Sequence, residues 1–314
     1  MSKVSILVPC YNAEKFIEEA IRSALDQDFK EKEIIVIDDG STDQSPTILK
    51  RFGSAIKLTC RENRGGNFTR NELLSQSTGG WIQYLDADDY LAKGKLSEQM
   101  NWIDKNSGHD MVYGAVMVVY DRGYQREYDK QEVIYSDDPW AALVSWELPQ
   151  TSSPLFNRQA LLDVGGWNNE QKVCQEHELY FRLLKAGKSV IGVKEFNQLT
   201  HYRQWSGDTV SRKNPMNTYH ARIEIMEKAY NFMEENNLLT EQRRMVFMEW
   251  CLLLSRGLWS LNKKLAVDFF KRHEKVYPLM DVRSNFLKKY YLQIVRLIGF
   301  ESVERIAMWI RKIR

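Results

Sequence analysis

Over the first hundred residues, short unbroken apolar runs alternate with longer stretches in which apolar positions recur every three or four residues. Residues 4–9 form such a run, too continuous for a strand with one wet face, and read as a buried strand. Behind it Phe16, Ile17, Ala20, Ile21, Ala24 and Leu25 fall on one side of a helix over 13–27. The cycle repeats with a strand at 33–38, a helix at 46–52 capped from residues 41–43, a strand at 56–60, a helix at 68–77 and a strand at 81–85. This alternation predicts an α/β fold with a mostly parallel central sheet and helices on both faces.

The middle of the chain is less regular. Residues 110–120 read as one long strand with 123–127 returning against it, and 148–157 as a loop leading into a strand. A short helix over 158–164 stops at Gly165 and Gly166. A helix over 176–186 is closed by Gly187, with Glu176 at its start looking outward into a cleft, and strands follow at 189–193 and 198–200. From Asn214 and Pro215 onward the spacing is helical throughout, over 218–235, 240–261, 265–277 and 285–313, the last broken near Gly299. The expected organisation is a domain over 1–213 followed by an α-helical C-terminal region over 214–314.

Composition narrows the class. Of 314 residues, 43% are hydrophobic and 27% charged, the balance of a folded chain. No apolar run reaches the eighteen residues of a spanning helix, and the first one breaks at Pro9, too early for a signal peptide. Cysteines at 10, 60, 174 and 251 lack metal-ligand spacing and read as reduced packing residues of a cytoplasmic protein. The net charge of +2 is unevenly spread: residues 1–250 carry 30 basic and 37 acidic side chains, residues 251–314 carry 14 and 5. A basic end on an acidic body suits a polyanionic surface, phospholipid or nucleic acid, or is merely a solvated helical face.

In open α/β sheets ligands bind beyond the carboxyl ends of the strands. There the chain places P-C-Y-N at 9–12, D-D-G-S-T-D at 38–43, R-E-N-R-G-G at 61–66 and D-A-D-D at 86–89, four loops expected to converge on one edge. Asp86, Asp88 and Asp89 repel one another unless a cation sits among them, so a divalent metal is one reading and helix or turn capping the other. Neither G-x-G-x-x-G nor G-x-x-x-x-G-K-[ST] occurs, which argues against dinucleotide and P-loop chemistry. Asp, Tyr, Asn and Arg around an acid pair suit a nucleoside diphosphate bridged by Mg²⁺ or Mn²⁺.

Taken in order, these segments resemble the family 2 glycosyltransferases of the nucleotide-diphospho-sugar transferase (GT-A) fold. Residues 4–12 resemble the family's opening strand and P-x-Y-N, 38–43 its D-D-G-S-T-D, 63–71 its N-x-G-x-x-x-A-R-N with Thr69 for Ala, and 86–88 its Asp-x-Asp. Residues 164–167 resemble its V-G-G-F with Trp167 for Phe, and 175–183 its E-D-x-[DE]-L-x-x-R-L with Gln175 and Glu176 for the two acids. The resemblance covers about 1–212. It implies an inverting, metal-dependent sugar transfer from a nucleotide-diphosphate donor, a UDP-sugar ahead of GDP or dTDP, to a glycan or lipid-linked acceptor hydroxyl. The donor half would be 1–105 and the acceptor half 106–213.

Residue by residue, the resemblance implies that Pro9, Tyr11, Asn12 and Asp39 hold the nucleoside and that Asp86 contacts ribose or pyrophosphate. Arg70 would help with phosphate, Asp88 would ligate Mn²⁺ or Mg²⁺ beside Asp89, and Glu176 would be the general base, with Glu178 as the other candidate. His201, Tyr202, Arg203, Trp205 and Ser211 resemble the family's Y-R-x-H-x-x-S-x-S, with Trp205 where a histidine is often found; they would close over the diphosphate or shape the acceptor site, although a lone His201 is more often structural. Among Trp140, Trp146, Trp167 and Trp205, at most two would stack on sugar faces. Arg283, Lys288, Lys289, Arg296, Arg305, Arg311, Lys312 and Arg314 would rest on the inner face of an anionic membrane, with no nucleic acid partner. A nucleotidyltransferase, or a scaffold that keeps the fold without transfer, are the competing readings. The first wants a glycine- and lysine-rich loop after strand one, and the second gives no reason to keep the acids.

Overall fold

The computed structural model describes residues 2–121, 125–131, 137–205, 214–274 and 286–313, with side chains at all of these except 130, 131, 286–290, 292 and 310–313. The alternation of the first hundred residues folds as β1 (Val4–Cys10), α1 (Ile17–Leu25), β2 (Lys32–Asp39), α2 (Ser45–Lys50), β3 (Lys57–Arg61), α3 (Gly66–Gln76) and β4 (Trp81–Tyr84). Then come β5 (Tyr90–Leu91), α4 (Lys95–Lys105), β6 (Met111–Tyr113), β7 (Val116–Asp121), β8 (Arg126–Gln131), α5 (Pro139–Val144), β9 (Leu155–Asn157), α6 (Arg158–Asp163), α7 (Gln175–Lys185), β10 (Val190–Gly192) and β11 (Thr200–Trp205).

Seven strands form one sheet in the order β10-β6-β9-β4-β1-β2-β3. All neighbours are parallel except β9, which runs antiparallel to both β4 and β6. Ile6, Leu7, Val8, Ile35, Val36 and Ile37 are fully buried because β1 and β2 are covered on both faces, the condition that makes an unbroken apolar run read as an inner strand. Each contributes about 1.5–3 kcal/mol relative to exposure. Their carboxyl ends carry residues 9–12, 38–43 and 61–66 to a common edge.

The middle region departs from expectation in three places. The stretch 110–120 is two strands, β6 in the large sheet and β7 in a separate sheet ordered β5-β11-β7-β8. The chain changes sheets at Gly114, where a Cβ would lie 3.1 Å from the Phe196 ring, so any larger residue would have to push that ring aside. The strand expected at 198–200 runs instead from Thr200 to Trp205, parallel to β7 and antiparallel to β5, so His201, Tyr202, Arg203 and Trp205 lie within it. Its polar residues hide it from hydropathy; pairing on both sides makes it a strand. The third departure is α4, whose buried face includes Lys95 and Gln99 and therefore shows no clean apolar stripe. The return strand is β8, while 122–124 and Ser211 lie outside the described residues.

The chain divides into two compact units, one of residues 1–139 and 147–209, the other of Trp140–Trp146 and Val210–Arg314. The expected boundary at 213 falls outside the described residues. The second unit is built of α5 and α8 (Pro215–Glu235), α9 (Glu241–Trp259), α10 (Lys263–Glu274), α11 (Phe286–Ile298) and α12 (Phe300–Ile313). Trp140 stacks on Phe232 at 5.5 Å and Phe270 on Phe300 at 4.5 Å. Gly299, at φ +80°, parts α11 from α12. Among the described residues no helix is long and apolar enough to cross a membrane. Of the basic residues expected at a membrane, Arg283 and Arg314, and the side chains of Lys288, Lys289, Arg311 and Lys312, lie outside the described residues; Arg296 and Arg305 are exposed.

Candidate active site

Just past the carboxyl end of β1, Tyr11 is 54% exposed. Asn12, at φ +49°, spends its side chain locally, its Oδ1 accepting from Thr42 N at 2.8 Å, while its own N–H donates to Ser41 Oγ. It stitches the first loop to the second. Asp39 is almost wholly buried. Its carboxylate accepts from Arg61 and from the N–H groups of Arg64 and Gly65, both at 2.9 Å, which closes the third loop onto the second. Pro9 is half-buried at the end of β1. Beside them Asp38 accepts from Ser41 N at 3.0 Å with Oδ1, while its buried Oδ2 has no partner among the described residues.

The acidic loop follows β4. Ser152 anchors it: Ser152 Oγ accepts from Asp86 N at 3.1 Å and donates to Asp89 Oδ2 at 2.7 Å. Asp89 is fully buried, and burial, with Asp88 and Asp86 nearby, raises its pKa well above the carboxylate range. Asp86 accepts from Arg70 Nη2 at 2.8 Å. Burial and then Asp86 raise the pKa of Asp88, whose side chain takes a hydrogen bond from Trp205 Nε1 at 3.1 Å and, among the described residues, no ion pair. A carboxylate short of positive charge fits a divalent cation. Among the described residues no three metal-ligating side chains gather at one point, so a cation here would be completed by phosphate and water, as Mg²⁺ and Mn²⁺ prefer.

From the second sheet Arg203, a buried guanidinium, supports this loop. Its Nε donates to the Asp88 carbonyl at 2.8 Å, its backbone N–H to Asp89 Oδ1 at 3.0 Å, and its other nitrogens to Asp121 and Glu19. His201 instead stacks on Tyr90 at 4.3 Å, and burial lowers its pKa. Of the four tryptophans, only Trp205 reaches the acids. Trp140 packs on Phe232, Trp146 lies under Arg222, and Trp167 is buried edge-on to Tyr84.

Glu176 stands in the first turn of α7 with its side chain 29% exposed. Burial pushes its pKa up, but His177, whose Nδ1 lies 3.7 Å away, together with a backbone N–H and Arg70 outweighs this and leaves it below the ordinary value. Glu178 has both oxygens 2.8 Å from Arg182 in an i,i+4 ion pair. Arg70 joins the two sides of the site: Nη2 reaches Asp86 and Nη1 reaches Gln175 Oε1 at 3.1 Å.

Four supporting residues escaped the sequence reading or were placed by it without their task. Ser152 lies in a stretch without a motif. Asn67 and Asn71 clamp the loop before α7: Asn67 Nδ2 donates to the Asn168 and Gln171 carbonyls, and Asn71 exchanges two 2.7 Å bonds with the Trp167 backbone. Both sit in the 63–71 motif, which gave their place but not their task. Arg61, which holds Asp39, opens the 61–66 loop that the sequence places at the ligand edge, but its pairing with Asp39 was not foreseen.

The family model described as "Glycosyl transferase family 2" matches residues 5–163. The chain is 29% identical over 232 residues to the GalNAc(5)-diNAcBac-PP-undecaprenol beta-1,3-glucosyltransferase of Campylobacter jejuni, 72% of this chain and 73% of that one. It is 32% identical over 169 residues to the poly(ribitol-phosphate) beta-N-acetylglucosaminyltransferase TarS of Staphylococcus aureus, 52% of this chain but only 28% of TarS. Among solved structures, TarS 1–349 in complex with UDP-GlcNAc superposes with a TM-score of 0.71 at 20% identity, covering 98% of this chain and 92% of that one. The mannosyltransferase PcManGT of Pyrobaculum calidifontis, in complex with GDP-Man and Mn²⁺, gives 0.51 at 16% identity, covering 98% and 83%.

Proposed function

The chain belongs to glycosyltransferase family 2, with the GT-A fold, and from that premise we propose that it moves a sugar from a UDP-sugar to a hydroxyl of a lipid-linked glycan with inversion at the anomeric carbon. The observation that carries the reading is the Arg70 bridge, which brings the acidic loop and the first turn of α7 to one place. Two relatives, by name, act on an undecaprenol-linked glycan and on poly(ribitol-phosphate), which favours a cell-surface glycan as acceptor.

Tyr11 stacks on the nucleobase, and the end of β2 flanks it with Asp39 and the Asp38 oxygen that lacks a partner among the described residues. Asp86 and Arg70 face the ribose and phosphates. Asp88 would hold a divalent cation, which when bound supplies positive charge against the leaving diphosphate. Glu176 takes the proton of the acceptor hydroxyl as that oxygen bonds to the anomeric carbon and the bond to the diphosphate breaks. The charged neighbours hold the Glu176 pKa below its ordinary value, which costs it some basicity. A single displacement with a base and no enzyme nucleophile inverts the configuration, the logic of inverting glycosidases run toward synthesis.

Glu176→Gln is expected to lower kcat by about 10²–10⁴ while UDP affinity stays within about twofold. The product of an α-linked donor should show the proton coupling constant of a β-linkage. Full activity in Glu176→Gln, or an α-linked product, contradicts the reading.

A further inference from the structure

Lys95 is the least expected residue in the core. It opens α4, the positive end of a helix, and is buried to 1% exposure. Both conditions disfavour an ammonium group. Among the described residues no carboxylate pairs with it; its Nζ donates to two amide oxygens, Gln83 Oε1 and Gln99 Oε1 at 2.9 Å. A methionine would fill the same volume without either penalty, so packing alone gives no reason for the charge.

The partners lead to the active site. Gln83, on β4, accepts from Lys95 through its oxygen, and its Nε2 donates to the carbonyls of Tyr84 and of Ser152, the latter at 2.8 Å. Carbonyls only accept, so the Gln83 amide turns its nitrogen to Tyr84 and Ser152 and its oxygen to the Lys95 Nζ, which donates to it. The Ser152 carbonyl also accepts from Thr200 Oγ1 at 2.8 Å. Ser152 is therefore held through its backbone, and its hydroxyl is the group that anchors Asp86 N and Asp89 Oδ2.

We propose that Lys95 is a positioning residue for the acidic loop, acting through Gln83 and Ser152 to hold Asp86 and Asp89 where Asp88 can meet the donor diphosphate. The consequence for donor binding rests on the glycosyltransferase reading; the consequence for the loop does not. Burial, with no carboxylate beside it among the described residues, lowers the Lys95 pKa to about 7.

The test compares wild type, Lys95→Met, Ser152→Ala and the double variant. Hydrogen exchange at the Asp86 amide is expected to quicken at least about tenfold in Lys95→Met, while amides of β1 and β2 keep their protection and Tm is unchanged or higher. UDP affinity in the presence of Mn²⁺ is expected to fall by about 10–100-fold, and the double variant to lose no more than Ser152→Ala alone. Unchanged exchange at Asp86 overturns the proposal. So does exchange that quickens across the whole sheet with a lower Tm, which marks a merely structural lysine. If wild type binds no UDP, the proposed function fails and exchange at Asp86 still decides the role of Lys95. If wild type binds UDP and Lys95→Met binds it equally, the positioning role fails alone.

Discussion

Single residues show how much of the sheet's amino-terminal edge, at the other end of the strands from the acidic loop, is held by charge. Glu33 accepts from Ser5 Oγ at 2.6 Å, from Thr78 N and Oγ1 at 2.8 Å and from Lys57 at 2.7 Å, with Lys3 3.1 Å away. Burial pushes its pKa up, but these donors outweigh it and hold the carboxyl well below the usual range. A folded pKa below the unfolded value of about 4.3 means that its stabilisation is full above that pH and is lost as pH falls below it. Glu33→Gln should cost about 1–3 kcal/mol at pH 7 and flatten the fall of Tm between about pH 5 and 3. Superimposable Tm curves for the two proteins would contradict this role. The acids after β4 were visible in the sequence because three aspartates in four residues are conspicuous. Their supports were not, since Ser152 and Arg203 lie 63 and 114 residues from Asp89 and only pairing across two sheets brings them together.

At the scale of elements, legibility followed hydropathy. β1, β2 and β4 declared themselves because inner strands of a parallel sheet are apolar throughout, and α1 because it buries a stripe; the edge strand β3 and the helices α2 and α3 were legible from their place in the alternation. β11 and α4 were not, because each carries buried polar groups, Arg203 in one and Lys95 with Gln99 in the other. The loop before α7 shows a constraint that only geometry reveals. Gly165 and Gly166 both have positive φ, but a Cβ on Gly166 would lie 2.4 Å from Asn71 Oδ1, while one on Gly165 meets nothing within 4 Å. Gly166→Ala should therefore cost clearly more than Gly165→Ala, and more than about 1 kcal/mol in total. It should also lower activity, because the displaced Asn71 clamp holds the loop leading to Glu176. Equal costs in thermal unfolding would show that the clamp yields freely.

For the whole molecule, the helical unit raises the question of a surface. α11 and α12 expose Ile294, Leu297, Ile298, Ile306 and Trp309, with Leu297 at 82%, in a segment where basic residues outnumber acidic ones 14 to 5. Apolar side chains among cations suit an anionic bilayer surface, where a lipid-linked acceptor would also lie. Co-sedimentation with vesicles containing phosphatidylglycerol should be strong at low salt, weaken at high salt, and drop in Leu297→Asp/Trp309→Asp. Indifference to anionic vesicles at low salt would separate the enzyme from the membrane.

The most direct test of the central claim is calorimetric titration of UDP, with and without Mn²⁺, into wild type and Asp88→Ala. The account predicts binding to wild type with Mn²⁺, and affinity lower by about tenfold or more when either the metal or the Asp88 carboxylate is removed, with the variant still folded. Equal affinity in all four titrations, or no binding in any, would contradict a nucleotide-sugar site built on the acidic loop.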